Sequence, residues 1–413
     1  MFLTHVALAS GFQSRSDSGQ YLNRADIGVA LFFALSGFLL YRPFVAARME
    51  GRPATGTGRF LWRRFLRIFP AYWAALLVLG FILDVRRLNP GLPPLPIAGG
   101  PDFTLAAYQV PIDSLWDVIR YFGLLQSFSN STSLGGLQQA WTLTNELCFY
   151  LLLPVWAAGA AWLGRRLAPV RALQLELAVL VAAGVGALGF RWWLHSFQVN
   201  DPTSGSFDVR FHWIVANFNL FVPGMALALG YEWSRRRETP LAGLELVRRL
   251  PLVCWGLAAV CFWAVSTQAD LTVLGTASQG SALSKELLYS AVAILLLAPV
   301  ALAGDTLPRS LRWLGSRVMA TLGLLSYGIY LWHEGVIDLY RDRRNIELPS
   351  GHYDLAGAFP TMLAVTLAGT LAIAALSYVL VERPALSLKN VWLRWPTRRQ
   401  LKPEPVPEAE AVT

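Results

Sequence analysis

The sequence predicts an all-α polytopic membrane protein of about ten transmembrane helices, and three observations carry that reading. Of its 413 residues, 54% are hydrophobic and 15% charged, a balance that does not fit an ordinary soluble chain. The mean hydropathy is +0.43, and the 34 glycines and 24 prolines are tolerable in membrane helices, where neighbouring helices re-satisfy freed backbone groups. Apolar stretches of the ~20 residues needed to cross a bilayer also recur along the chain. The net charge of +9 sits between these stretches, which fits cytoplasmic loops rather than a nucleic-acid partner.

Nine stretches have spanning length: residues 27–47, 65–83, 141–163, 173–194, 211–231, 250–266, 287–303, 318–340 and 355–381. A tenth, 1–12, makes a helix only ~18 Å long against a hydrocarbon core of ~30 Å. It lacks the basic n-region of a signal peptide, so it is expected to be the second half of a helix that is N-terminally truncated at Met1. Lys and Arg alternate between rich and poor connections, 24 of the 35 falling in one set. The positive-inside rule then puts both termini in the cytoplasm. The weakest point is the hairpin where 309–317 and 341–344 carry three basic residues each. Residues 84–117, with six prolines, read as an extracytoplasmic loop, and 118–128 has re-entrant or interfacial length. A membrane domain over 1–390 is followed by a cytoplasmic tail, 391–413, expected to be disordered from about 396. Cys148, Cys254 and Cys261 fall inside spans without metal-ligand or disulfide spacing and read as small core residues.

Ionisable groups inside spans are costly, which makes each a functional candidate. His5 is the sharpest: a partly buried neutral imidazole can take a proton from a hydroxyl. Glu146, in TLTNELCFY, is expected to orient or charge-stabilise such a histidine or to anchor a helix–helix hydrogen bond. Glu176 lies one turn after Arg171 and reads as an interfacial charge. His333, followed by Glu334 in SYGIYLWHEG, sits beside Tyr330 and Trp332 where an interfacial aromatic belt is expected. His195, His212 and His352 carry no constellation. In FLWRRFLRIFPAYW, Arg64 and Arg67 share a helix face, as do Arg63 and Arg67. Arginine forks suit phosphate, while topological anchoring or anionic-lipid contact explains the same charges.

Several strings in order resemble one family, the integral-membrane acyltransferases of acyltransferase family 3. They are His5, IGVALFFALSGFLLYRPF, FLWRRFLRIFPAYW, AWTLTNELCFYLLLP, LSYGIYLWH and SYVLVERPA. The resemblance implies a membrane-bound O-acyltransferase that moves an acyl group, acetyl by default, from cytosolic acyl-CoA to a hydroxyl of a sugar, cell-envelope glycan or glycosylated metabolite. It implies His5 as base, Glu146 as the motif acid, and Arg63, Arg64 and Arg67 near the CoA phosphates, with no metal. Ser36, Gly37, Trp141, Tyr150 and His333 match further motif positions. Ala30 stands where an Asp is common; Asp26, four residues earlier, shares its face if that turn is helical. The implied location is the cytoplasmic membrane of a bacterium, with the lipid bilayer, acyl-CoA and a glycan or glycoside acceptor as partners. Buried His and Glu on ten helices also suit a transporter or flippase, and the truncated first helix suits a noncatalytic relative.

Overall fold

The computed structural model describes residues 1–12, 18–54, 56–85, 88, 95–96, 108–109, 111–133, 135–200, 208–236, 242–268, 278–303, 307–344 and 359–394. Most of the proline-rich loop, His352 and the segment from 396 lie outside them.

The described chain is almost entirely helical. The helices are α1 (Phe2–Ala9), α2 (Gly19–Asn23), α3 (Gly28–Met49), α4 (Thr57–Leu77), α5 (Leu115–Phe122), α6 (Ala140–Gly164), α7 (Pro169–Asn200), α8 (Ile214–Ser234), α9 (Ala242–Arg249), α10 (Pro251–Ser266), α11 (Gln279–Ala301), α12 (Arg317–Arg343), α13 (Phe359–Ser377) and α14 (Arg383–Ser387). A two-residue antiparallel pair joins Leu95–Pro96 to Tyr108–Gln109. Each of the nine spanning stretches overlaps one of α3, α4, α6, α7, α8, α10, α11, α12 and α13.

Among the described residues seven stretches are long and apolar enough to cross a membrane, or eight if α9 and α10, bent by 86°, count as one. The bend falls where Pro251 opens α10, since proline has no N–H to continue α9 but suits a first helical turn. Two segments account for the difference from ten. Helix α1 has eight residues, and α12, although 27 residues long, carries Glu334, Asp338 and the Arg341–Arg343 run. Helix α4 starts eight residues before the apolar stretch that announces it, because its first turns hold Arg59, Arg63 and Arg64.

Serine hydroxyls fix several starts: Ser114, Ser278 and Ser316 accept the backbone N–H of Asp117, Ser281 and Met319, satisfying donors a first turn leaves free. Helix α5 is not a span. It exposes Leu115, Trp116 and Ile119 while Arg120 pairs with Asp117 at 2.9 Å, the division of an interfacial helix.

Helices α3 and α8 make the most extensive contact, and glycines set its depth. A Cβ on Gly224 would lie 1.7 Å from the Ala34 carbonyl oxygen, and one on Gly37 2.4 Å from that of Phe221. Only glycine permits backbones this close, the small-residue packing that membrane helices use where lipid leaves little hydrophobic drive. Phe221 stacks between Phe33 and Phe149, with ring centroids 4.5 and 4.3 Å away. Val155, Val185 and Leu252 lie exposed on the exterior, as lipid-facing residues do. Cys254 is buried and Cys148 and Cys261 half-buried, all unpaired.

The end of α3 is tied to α7 and α8 by charge. Glu176, expected as an interfacial charge, is buried in the protein, accepts from the Tyr41 hydroxyl, and pairs with Arg48. Burial demands such partners, because an unpaired carboxylate in this environment costs several kcal/mol, roughly. Glu232 is held by Arg42 at 2.9 Å and Arg236 at 2.6 Å. Beyond α3, Arg52 and then Arg236 hold the exposed Glu50 carboxyl below its usual range.

Candidate active site

Two polar clusters stand out, one of imidazoles and one of guanidinium groups, and α12 touches both. Tyr327, Tyr330 and His333 recur every three residues and share a face of this helix.

His5 reaches the imidazole cluster because Val6 and Ala9 of α1 pack with Ile337 of α12 and Met362 of α13, while the Thr4 hydroxyl donates to the Leu22 carbonyl at 3.0 Å. His5 Nδ1 lies 2.6 Å from Glu334 Oε1. The His5 and His333 rings meet edge to face at 5.0 Å, and Phe2 abuts His333 at 6.2 Å. His333 Nδ1 is 2.6 Å from the Tyr330 carbonyl oxygen; it therefore carries the proton and donates, which leaves Nε2 as a bare acceptor. That Nε2 is buried and has no hydrogen-bond partner among the described residues. His5 keeps 21% of its side chain exposed, so the cluster is open on one side.

This arrangement corrects one expectation: the carboxylate against His5 is Glu334, not Glu146. His333, at 1% exposure, is packed inside the bundle rather than on its outer surface. Sequence reasoning noted Glu334 without assigning it, although an acid beside a histidine within a span was the available signal.

Glu146 belongs to the second cluster. Its carboxylate accepts from the hydroxyls of Ser36, at 3.4 Å, and Tyr150. Tyr150 lies four residues further along α6 and therefore on the same face. Arg64 leans over the Tyr150 and Phe60 rings, 5.9 Å from each centroid. The Nε atoms of Arg63 and Arg64 are buried without a hydrogen-bond partner among the described residues. Both arginines line a cavity of about 130 Å³ walled by Pro43, Phe44 and Phe60. Arg67 sits 5.5 Å over the Tyr327 ring and 3.8 Å from Glu382. Glu382 is another residue that sequence reasoning left unassigned, although it lies in SYVLVERPA; it is buried at the end of a π-helical turn, Tyr378–Glu382, and such turns are frequent at functional sites.

The structure therefore brings Arg63, Arg64, Arg67, Ser36, Glu146 and Tyr150 together, and His5 with His333, but does not merge the two groups. Tyr327 and His333 are six residues apart, ~9 Å along a helix. Between them the Tyr330 hydroxyl donates to the Gln139 carbonyl at 2.8 Å and meets Thr142.

Three other motif positions are accounted for by packing. Gly37 serves the α3–α8 crossing. Trp141 stacks on His212 at 4.4 Å and meets Phe33 at 6.3 Å. Asp26 lies in a 3₁₀ turn, Arg24–Ile27, so the four-residue spacing to Ala30 does not imply a shared face; it pairs instead with Lys285 at 3.1 Å and the Tyr289 hydroxyl.

Among protein families, the acyltransferase domain matches residues 1–381. Nodulation protein 10 of Rhizobium leguminosarum bv. viciae is 27% identical over 88% of this chain and 83% of its own length. The exopolysaccharide production protein ExoZ of Rhizobium meliloti is 26% identical over 91% of this chain and 94% of its own. The putative peptidoglycan O-acetyltransferase YrhL of Bacillus subtilis is 24% identical over 88% of this chain. The chain spans about half the length of that relative, 51%. No solved structure matches. With the family domain covering residues 1–381 on a bundle of apolar helices that carries His5, the arginines of α4 and the SYVLVERPA string, this multi-pass membrane protein belongs to acyltransferase family 3, enzymes that transfer acyl groups other than amino-acyl groups.

Proposed function

We propose that the protein is an O-acyltransferase that moves an acyl group, acetyl by default, from cytosolic acyl-CoA to a hydroxyl of a sugar, cell-envelope glycan or glycosylated metabolite. The observation that carries the reading is the His5–Glu334 pair. The pair sets His5 Nδ1 2.6 Å from Glu334 Oε1, and a tautomer protonated at Nδ1 beside that carboxylate leaves Nε2 with its lone pair. The acceptor hydroxyl gives its proton to Nε2 as its oxygen attacks the thioester carbonyl. The tetrahedral intermediate collapses, the C–S bond breaks, and the imidazolium returns the proton to the departing thiolate. No covalent acyl-enzyme is needed. The Glu334 carboxylate, 2.6 Å from His5 Nδ1, stabilises the imidazolium.

Arg63, Arg64 and Arg67 supply guanidinium groups for the CoA phosphates, and the pantetheine arm carries the thioester from there towards the imidazoles. Glu146 is the motif acid, acting here through Tyr150 and Ser36 beside those arginines. The names of the relatives, which speak of peptidoglycan and exopolysaccharide, support a glycan acceptor and acetyl as the group. We place the protein in a bacterial cytoplasmic membrane, with residues 1–390 as the catalytic domain, 391–413 as a cytoplasmic tail and ten spans with both termini inside.

Membranes carrying the full chain are given acetyl-CoA labelled in the acetyl group, and envelope glycans and glycosides are assayed for label. Label that enters a hydroxyl ester with the wild type and vanishes with His5→Ala supports the reading. Uptake of a solute that needs no acyl donor, with no esterified product, would sink it. Single cysteines in the connections, tested with an impermeant maleimide, check the topology.

A further inference from the structure

The imidazole cluster has a second chemistry. His5, His333 and Glu334 each offer a ligand atom, and these atoms lie within 4.8 Å of one another. Two imidazoles and one carboxylate form a common donor set for zinc and other first-row cations. Tetrahedral Zn²⁺ with bonds of ~2.05 Å needs ligand atoms about 3.3 Å apart, so edges of up to 4.8 Å close by at most ~1.5 Å while the 2.6 Å His5–Glu334 edge opens, shifts within reach of side-chain rotations.

His333 is prepared as metal-binding histidines usually are. Its Nδ1–H is spent on a backbone carbonyl, which fixes the tautomer and presents the Nε2 lone pair. That lone pair is buried and has no hydrogen-bond partner among the described residues, and neither acyl transfer nor helix packing uses it.

We infer that His5, His333 and Glu334 form a divalent transition-metal site, best suited to Zn²⁺, whose occupation switches acyl transfer off. The inhibition, though not the binding, rests on the proposed role of His5 as base. Zn²⁺ takes His5 through Nδ1, the nitrogen that faces Glu334, and the imidazole proton moves to Nε2. His5 stays neutral and no proton is lost, but the lone pair that would accept the hydroxyl proton is gone. Glu334 is drawn to the metal at the same time.

Binding is tested on the purified full-length protein in detergent micelles, stripped with chelator, by competition between the protein and a chromogenic Zn²⁺ indicator and by the visible spectrum of added Co²⁺. One ion per chain and an intense four-coordinate Co²⁺ band are expected. His333→Ala should weaken binding by about 100-fold or more, exceeding the ~10- to 100-fold loss typical of removing an outer-shell partner. Should His333→Ala fail to fold, Glu334→Gln keeps shape and imidazoles while removing the anionic ligand, and should also lose the band. Equal affinity in wild type and a folded variant, or a six-coordinate aqueous Co²⁺ spectrum throughout, overturns the site. Labelled-acetyl transfer is then followed with and without Zn²⁺. Reversible inhibition that disappears in chelator supports the switch; stoichiometric binding with transfer unchanged overturns the switch and the base role of His5, and leaves the site standing. A stripped protein that binds Zn²⁺ but never transfers acetyl contradicts the proposed function alone.

Discussion

The two clusters solve opposite problems with buried charge. Around His5 one carboxylate faces two imidazoles, each group can shed or take a proton, and His333 Nε2 has no hydrogen-bond partner among the described residues. Around Arg64 the cations are permanent; the Phe60 and Tyr150 rings lie against Arg64, and the Nε atoms of Arg63 and Arg64 have no hydrogen-bond partner among the described residues. Under the proposed function, the first moves a proton and the second meets a fixed negative charge. That contrast predicts that damage to the first slows turnover, whereas damage to the second weakens donor binding.

The sharpest way to break this division is at the base. His5→Ala should lower kcat for labelled-acetyl transfer by about 10²- to 10⁴-fold, the range for a positioned general base, with KM for acetyl-CoA little changed; a normal rate would remove the base from His5. Next comes its orienting acid. Glu334→Gln should cost kcat about 10²-fold or more, because an amide cannot hold the tautomer or stabilise the imidazolium. Glu146→Gln should cost kcat less than Glu334→Gln does, and the reverse ranking would restore the pairing expected from sequence. In the guanidinium cluster, Arg64→Ala should raise KM for acetyl-CoA by about 10- to 100-fold with kcat nearly constant, the value of one charge-assisted hydrogen bond of about 1.5–3 kcal/mol. The smallest effect belongs to Glu382. At 3.8 Å from Arg67 it holds that guanidinium only loosely, so Glu382→Gln should raise the same KM by about two- to fivefold, roughly 0.4–1 kcal/mol. Steady-state kinetics across an acetyl-CoA series read all of these.

Much of the bundle was legible because lipid leaves helices as the only economical spanning form, and hydropathy finds them. Gly37 and Ser36 were visible as motif positions, and the arginines of α4 through their spacing. What was not legible is tertiary. His5 and Glu334 are far apart in sequence, and nothing local to either says that α1 docks against α12 rather than α6; that choice rests on Val6 and Ala9 meeting Ile337 and Met362. Glu146 is a candidate for the histidine's acid from sequence because it is an acid within a span, but that does not decide which helix faces which. Hydropathy also hid the start of α4, since Arg59, Arg63 and Arg64 in its first turns lower the average used to find it.

The glycine crossing of α3 and α8 makes those two helices the fixed chassis of the enzyme. With Gly224 pressed against the Ala34 carbonyl they can neither slide nor roll, so Ser36 and Arg42 hold station whatever the rest of the bundle does. Any motion that admits a donor or releases a product must then be borne by the helices around that frame, such as α4 and α13, which run into the π-helical turns at Val78–Ile82 and Tyr378–Glu382. One methyl group at position 224, well away from any reacting atom, would disable the enzyme by bending its frame.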